Sequence, residues 1–335
     1  MTVQYRVTRA STSTTIGLAA TFVLIAFLAS APSWAEDDAL RLATDVFMYV
    51  SLACLWNFLA GYAGLASVGQ QAYVGLGGYA LFALTAKANM PILYAVPLLG
   101  VGAAIISVPI AMLLFRLRGA YFAISSWVVA EVFHIGSILV APLGGGGGMS
   151  LPVRVAQSLG RSPHERFTGI YWLAFALALV VLTAIFLALR SRIGLALTAI
   201  RDNELAARSN GVNVGRLKLL VYVGVACGTA MVGAVIFLQR LRISPSSGFS
   251  VNDWTAIVIF MVVIGGIGTF EGPIIGALVF FLLRETLAQL GPFYLIILGA
   301  VAIGVMMYEP RGVWGALRAR RRTQLLPLNV RVVKL

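Results

Sequence analysis

Long apolar stretches, separated by short polar loops, constrain the fold of this chain more than any other feature. A helix that crosses the hydrocarbon core of a bilayer needs about 20 apolar residues. We therefore predict an all-α polytopic membrane protein with about ten transmembrane helices. The candidate spans lie at residues 16–34, 43–60, 71–86, 91–115, 119–141, 170–190, 219–239, 253–270, 273–290 and 292–308.

The number of crossings stays open between about eight and about ten. The span at 71–86 is short, and 253–290 is alternatively a broken or re-entrant pair of helices. The whole chain, residues 1–335, is predicted to be a single transmembrane domain. An external loop at 142–168 and a basic cytoplasmic tail at 309–335 are its main extramembrane parts, together with one inner loop described below.

The composition excludes a soluble domain of this size. Of the 335 residues, 60% are hydrophobic and 11% are charged, whereas soluble domains contain about 45–50% apolar and about 25% charged residues. A soluble protein could not cover so much apolar surface. A bilayer removes this problem, because membrane lipid is itself an apolar solvent.

The net charge of +13 belongs to the loops rather than to a nucleic-acid surface. The basic residues lie between the apolar stretches, which is typical of the positive-inside bias, so we expect no nucleic-acid partner. With the N-terminus inside, most of the 25 Lys and Arg residues fall on the inner side, and the acidic cluster at 36–38 falls outside. Both termini are therefore predicted to be cytoplasmic. An alternative for residues 1–35 is a signal peptide that is cleaved after Ser33-Trp34-Ala35.

The sequence contains none of the common catalytic or nucleotide-binding motifs. It contains no G-x-x-x-x-G-K-[ST] phosphate loop, no H-E-x-x-H, no C-x-x-C and no G-x-S-x-G. The two histidines are too few for a metal cluster, and the glycine run at 144–148 reads as a flexible turn. We predict no catalytic residue, no metal and no cofactor. An intramembrane enzyme remains only a minor alternative.

The inner loop at 190–218 is polar and predicts a short helix at the membrane surface. Asp202 or Asn203 can cap the start of this helix with a side-chain oxygen. Glu204 in the first turn suits the helix dipole, and Gly211 is a typical stop. An ordinary amphipathic connector is the alternative interpretation.

Two glycine-rich stretches, around 61–78 and 265–273, each follow a predicted helix and break it. Irregular backbone at membrane depth is tolerated where it is buried in protein or lines a cavity, and transporters use such broken helices around their substrates. Close helix packing through small residues is the alternative.

Glu131 and His134 lie three residues apart in the predicted span at 119–141 and share one helix face. A charge at the centre of a bilayer costs about 2.5–3.5 kcal/mol, so we expect Glu131 either to face the interior of the bundle or to be protonated. Glu131 has either a functional role or a structural one, as a partner of His134, and the sequence does not decide between them.

Four stretches together resemble the branched-chain amino acid permeases of ABC importers, of the LivM type. They occur in the order found in that family, and the third of them resembles the family's coupling loop. In this loop Leu205 holds the position of the usual acid, and Glu204 lies one residue early. In chain order, the family-like stretches are Asn57 to Gly69, Leu117 to Ala123, Gly194 to Gly211 and, beyond the loop, Ile264 to Pro273.

This resemblance implies the ABC importer permease fold and a chain that forms half of a substrate pathway in the bacterial inner membrane. It implies cytoplasmic ATP-binding subunits that hold the ATP, a second related permease, and an external solute-binding protein that contacts 142–168. The expected coupling residues are Arg201, Asp202, Glu204, Ala206, Ala207 and Gly211. The expected pathway residues are Asn57, Gly61, Gly64, Ser67, Gly69, Glu131, Gly265, Gly266 and Gly268.

Two alternatives to this function stay open at the sequence level. A self-sufficient ion-coupled carrier would use Glu131, His134 and Asp253 to bind protons or sodium. The substrate, in turn, could be urea or an amide rather than a branched-chain amino acid.

Overall fold

The computed structural model describes residues 5–8, 12–160, 162–287, 291, 293–309, 311–321 and 331–334. Helices dominate these residues, as predicted. The helices are α1 (Thr12–Ser30), α2 (Asp37–Asn57), α3 (Gln70–Ala86), α4 (Ile92–Leu114), α5 (Ala120–Leu139), α6 (Val153–Gln157), α7 (Pro163–Arg190), α8 (Arg192–Asp202), α9 (Glu204–Ser209), α10 (Val214–Arg240), α11 (Pro245–Gly248), α12 (Ile257–Gly265), α13 (Gly272–Leu287), α14 (Phe293–Tyr308) and α15 (Gly312–Arg321).

Two short antiparallel strand pairs, which the sequence did not predict, accompany the helices. Strand β1 (Tyr5–Thr8) pairs with β4 (Arg331–Lys334), and β2 (Met149–Ser150) pairs with β3 (Arg242–Ile243). The first pair joins the two ends of the chain. The second ties the external loop to the end of α10.

Seven helical stretches of the described residues are long and apolar enough to cross a membrane, so the prediction of about ten is not confirmed. Helices α3 and α13 have 17 and 16 residues. At a rise of about 1.5 Å per residue they fall short of a core about 30 Å thick. The qualifying stretches are Asp37–Tyr62, Ile92–Leu114, Ala120–Leu139, Pro163–Arg190, Val214–Arg240, Pro245–Gly265 and Ile296–Leu317.

Helix α10 is the centre of the bundle and packs against α2, α3 and α4. Glycines allow the backbones of α3 and α10 to approach closely. A Cβ atom added to Gly77 would lie 1.9 Å from the carbonyl oxygen of Ala230, and one on Gly233 would lie 2.3 Å from that of Val74. Small residues therefore replace side-chain interdigitation between these helices, as is common in membrane bundles.

The predicted breaks in the helices are present. Helix α2 ends in a wide π-helical turn at Phe58–Tyr62, and irregular backbone follows up to α3. A second π-helical turn, Asn252–Ala256, precedes α12. A tight turn at 266–271 then separates α12 from α13.

Several predicted loops are more ordered than expected. The external loop at 142–168 contains β2, α6 and the start of α7, which begins at Pro163 rather than at residue 170 because Ser162 and Glu165 form a capping box. The glycine run forms 3-10 turns, with φ of +84° at Gly144 and +74° at Gly148. In the basic tail, α15 and β4 are described, and residues 322–330 lie outside the described part of the chain.

Candidate functional site

Asn57 joins the two glycine-rich stretches of the sequence. Its buried side chain lies at the end of α2. Oδ1 accepts a hydrogen bond from the backbone N–H of Gly268 at 2.8 Å, and Nδ2 donates to the carbonyl oxygen of Thr269 at 2.7 Å. The end of α2 is thereby fixed to the turn at 266–271. We call this contact the Asn57 junction.

The glycines of the Asn57 junction provide space for close backbone packing. A Cβ on Gly61 would lie 2.4 Å from Asn57 Oδ1 and 2.6 Å from the Gly268 nitrogen, and one on Gly265 would lie 1.9 Å from the carbonyl oxygen of Gly272. Gly266 and Gly268 also have φ of +122° and +74°, which side-chain-bearing residues rarely adopt. These glycines therefore admit close backbone packing at the junction, and their role in the substrate pathway stays a prediction.

The irregular segment before α3 is held on both sides by hydrogen bonds. Trp56 Nε1 donates to the carbonyl oxygen of Ser67 at 2.7 Å, and the Val68 N–H donates to Ser126 Oγ of α5 at 2.9 Å. Gly69 packs so tightly on α5 that a Cβ would lie 2.1 Å from the carbonyl oxygen of Ser126. Gly64, with φ of +69°, has open space where a Cβ would be.

Arg201 brings the inner loop to the Asn57 junction. It lies near the end of α8, and its Nη1 is 3.2 Å from the position that a Cβ of Gly268 would take. Its Nε also pairs with Asp202 Oδ1 at 3.3 Å. One predicted coupling residue therefore touches the turn that holds several predicted pathway residues.

The inner loop forms two helices, α8 and α9, where one was predicted. Asn203 separates them and caps α9, since its Oδ1 accepts from the Ala206 N–H at 3.0 Å. Gly211, with φ of +83°, follows α9 in the left-handed conformation that a helix stop requires. Of the two alanines in α9, Ala206 is exposed, whereas Ala207 is buried because α9 turns that side toward α8 and α10.

Glu204 forms two salt bridges, one within α9 and one that ties α9 to α10. Its carboxylate accepts from Arg208 Nη2 at 2.7 Å and from Lys218 Nζ at 2.8 Å. The hydrogen bond from the Lys218 ammonium, aided by Arg208, holds the pKa of Glu204 below its ordinary value. This carboxylate therefore stays charged and orients α9.

Two exposed leucines on α8 and α9 were missed as functional candidates. Leu205 is 77% exposed and Leu195 is 76% exposed, although both belong to short, polar helices outside the bundle. Exposed apolar side chains outside the lipid-facing bundle are candidates for a contact with another protein. Their sequence signal was the substitution of Leu205 at the acidic position of the family motif.

Glu131 does not face the interior of this chain's bundle, so the expectation that it faces inward is wrong. Its side chain is 48% exposed and bonds to His134 Nδ1 at 2.9 Å on the same helix. Helix α5 turns Phe122, Ser126 and Ala130 inward, which leaves Glu131 on the outward face. The predicted pathway residues thus fall into three groups: the Asn57 junction with its glycines, the irregular segment before α3, and this outward face of α5.

Comparison with known proteins identifies the chain's relatives. Residues 39–307 match the model of the family described as the permease component of branched-chain amino acid transport systems. No solved structure matches the chain.

Three relatives show the extent of the likeness. The high-affinity branched-chain amino acid transport system permease protein LivM of Escherichia coli K12 is 26% identical over 314 residues, covering 86% of this chain and 73% of its own length. A probable LivM of Methanocaldococcus jannaschii is 25% identical, covering 79% and 90%. The ribose import permease RbsC of Escherichia coli K12 is 29% identical over 140 residues, covering 40% of this chain and 44% of RbsC.

Proposed function

We propose, from the premise that this chain belongs to the family of branched-chain amino acid transport permeases, that the α8–α9 surface receives the ATP-binding subunit. The chain is a multi-pass membrane permease subunit of an ABC importer for branched-chain amino acids, and it is not an enzyme. The family does not favour the ion-coupled carrier or the urea transporter. Within that function, we assign the docking site of the ATP-binding subunit, the substrate pathway and the orientation of the chain in the membrane.

The docking surface carries an apolar patch surrounded by charge. Leu195 and Leu205 stand exposed beside the ion pairs of Glu204. Docked apolar side chains supply binding energy, and the rim of charges supplies orientation. The coupling residues predicted from the sequence frame this surface, at Arg201, Asp202, Glu204, Ala206, Ala207 and Gly211.

The docked subunit moves the membrane helices through the Asn57 junction. Arg201 lies against the turn at 266–271, which Asn57 fixes to the end of α2. A displacement of α8 is therefore passed to both α2 and the α12–α13 pair. The proximity of Arg201 to Gly268 is the single observation that carries this proposal.

The substrate passes between this chain and a second permease. The outward face of α5, with Glu131 and the exposed Trp127, is the side that meets the second permease. A solute-binding protein approaches the side of 142–168 in the bacterial inner membrane, and both termini lie in the cytoplasm with α8 and α9.

The docking assignment is tested by Leu205→Asp in the assembled transporter. A buried carboxylate in an apolar contact costs several kcal/mol, so recovery of the ATP-binding subunits by the tagged chain should fall at least about tenfold. The control is Val153→Asp, which changes a 70% exposed residue of α6, away from the docking surface. Equal recovery by the wild type and both variants would exclude the α8–α9 surface.

A further inference from the structure

A cavity of about 330 Å³ lies at the end of the bundle away from the docking surface. It is bounded by the beginnings of α2 and α7, by α6 and by the end of α10. Helices α7 and α10 each have their other end next to α8 or α9, so the cavity and the docking surface occupy opposite sides of the protein. The volume is at the lower limit for small-molecule sites, which is about 300 Å³.

Three arginines line the cavity, and their guanidinium groups remain available to a ligand. Arg41 Cζ lies 3.9 Å from the ring centre of Phe167, and Arg240 Cζ lies 4.8 Å from that of Trp254. Contacts with aromatic rings orient guanidinium groups without consuming their in-plane N–H donors. Among the described residues, neither these two arginines nor Arg166 forms a salt bridge. The wall is therefore a preformed site for a carboxylate.

One acidic residue and one orphaned acceptor complete the polar lining. Asp45 lies one turn after Arg41 on α2 and is half-buried, with Arg240, Arg284 and the Gln239 side chain as its polar neighbours. The amide of Gln239 donates through Nε2 to the carbonyl oxygen of Arg41 at 3.3 Å. Its Oε1 is buried and has no partner among the described residues. A carboxylate and an amide oxygen together suit an ammonium group, which has three N–H donors.

The remaining wall is apolar. Leu159, Phe167 and Ile170 border the cavity. A ligand that satisfies all three parts of the lining carries a carboxylate, an ammonium group and an aliphatic side chain.

We propose that this cavity binds a free apolar α-amino acid as a zwitterion, as a site in the permease itself. The arginines bind the α-carboxylate, Asp45 and Gln239 bind the α-ammonium group, and the apolar wall receives the side chain. This proposal rests on the proposed import of branched-chain amino acids. A phosphate group of an anionic lipid would also contact the arginines, but it would place negative charge against Asp45.

Binding of tritiated L-leucine to the purified full-length chain in lipid nanodiscs tests the site. Two competitors each lack one charge: 4-methylpentanoate has no ammonium group, and 3-methylbutylamine has no carboxylate. We expect saturable leucine binding and at least about tenfold weaker competition by both, because each leaves a charged group of the site unpaired. Absence of leucine binding, or equal competition by 4-methylpentanoate, overturns the proposal.

Substitutions assign the binding to the cavity. Asp45→Asn should weaken leucine binding about tenfold or more while leaving 4-methylpentanoate binding unchanged or tighter, and Arg41→Gln should weaken both. Arg242→Gln, which removes an exposed charge just beyond α10, is the control. Leucine binding that survives both cavity substitutions places the ligand elsewhere. Competition of leucine by phosphatidylglycerol, with no effect of Asp45→Asn, assigns the cavity to a lipid phosphate instead.

These outcomes are separate from those for the docking surface. Size-exclusion profiles and melting temperatures of each variant establish that it is folded. If the chain recovers its ATP-binding subunits but binds no leucine, the cavity assignment alone is overturned. If leucine binds but no ATP-binding subunit is recovered, the proposed docking surface alone is overturned.

Discussion

At the residue scale, the Asn57 junction concentrates several interactions in one side chain. A buried amide that serves as donor and acceptor satisfies two backbone groups of a turn that has left-handed glycines. Each of these backbone groups would otherwise be buried without a partner, at a cost of about 1–3 kcal/mol. Asn57 therefore determines the position of the turn as well as its stability.

Replacing Asn57 by Leu should lower the free energy of unfolding by about 2–4 kcal/mol, because two buried hydrogen bonds are lost together. Leucine uptake by the assembled transporter should fall in parallel. Thermal melting in nanodiscs and uptake into membrane vesicles measure the two effects. Thr286→Val is the control, since its hydroxyl bonds only to carbonyl oxygens of its own helix. A similar melting temperature for all three proteins would contradict the structural role of Asn57.

Substitution by alanine should have opposite effects on stability at two glycines, Gly61 and Gly224. Gly61→Ala places a methyl group within 3 Å of Asn57 Oδ1 and of the Gly268 backbone, and such overpacking typically costs about 1–3 kcal/mol. Gly224→Ala, in the open on α10, should leave stability unchanged or raise it by up to about 1 kcal/mol. The melting temperatures of the two variants measure these effects. Equal melting temperatures would show that Gly61 has room for a methyl group.

The sequence identified these positions but did not determine their roles. Glycines at 61, 265 and 268 were selected because they interrupt apolar helices, and they do so. Whether such a glycine lines a cavity or admits a neighbouring backbone depends on which distant segment packs against it. Asn57 and Gly268 are 211 positions apart, and no local pattern reports a contact over that separation.

At the element scale, the sequence of the α8–α9 segment predicted where α9 begins and ends. It predicted only in part which residues of the segment are buried and which are exposed. Asn203, Glu204 and Gly211 act as the general rules for helix ends require. The burial of Ala207 and the exposure of Leu205 depend on how α9 packs against α10. Helix α9 is too short to show a periodic pattern from which that packing could be inferred.

The link from Glu204 to α10 should depend on pH. A carboxylate whose pKa is lowered by folding adds stability that is present above its ordinary pKa of 4.5 and is lost as the pH falls through the lowered value. Glu204 is 37% exposed, so solvent screening limits the effect to about 0.5–1 kcal/mol. Glu204→Gln should remove this part of the acid-dependent loss when melting is followed from neutral to acidic pH.

A double-mutant cycle with Lys218 provides the control for Glu204. Lys218→Gln breaks the same salt bridge, so Lys218→Gln combined with Glu204→Gln should destabilise the protein less than the sum of the two single changes. Strict additivity at neutral pH would mean that the two side chains do not act as a pair.

At the scale of the whole molecule, the pairing of β1 with β4 constrains the number of crossings. The two ends of the chain lie together, so we predict an even number of crossings. The seven long apolar stretches of the described residues are an odd number. At least one of the shorter helices should therefore cross as well, and crossing by α1, α3 and α13 would give the ten that hydropathy predicts.

Helix α3 is the best candidate for such a short crossing. Its last residues bond to the external segment, since Arg154 Nη2 donates to the carbonyl oxygen of Ala86 at 2.8 Å and Lys87 Nζ donates to that of Pro142 at 2.8 Å. Its first residues follow the segment that begins at the Asn57 junction. The two ends of α3 therefore lie at opposite faces of the bundle, and protein rather than lipid surrounds its many buried residues.

Labelling with a membrane-impermeant maleimide tests this topology. Ala88→Cys, in the exposed loop after α3, should react in intact spheroplasts, because a crossing by α3 puts this loop outside. Ser209→Cys, at the end of α9, should react only after permeabilisation. The buried Cys54 and the half-buried Cys227 lie in apolar helices and should give only a low background. This pair of positions reports on α4, α5 and α7, which lie between them. Asp38→Cys, exposed at the start of α2, tests α3 itself, because α2 and α3 lie between it and Ala88. Asp38→Cys and Ala88→Cys should label from the same side, and labelling from opposite sides would mean that α3 turns back within the membrane.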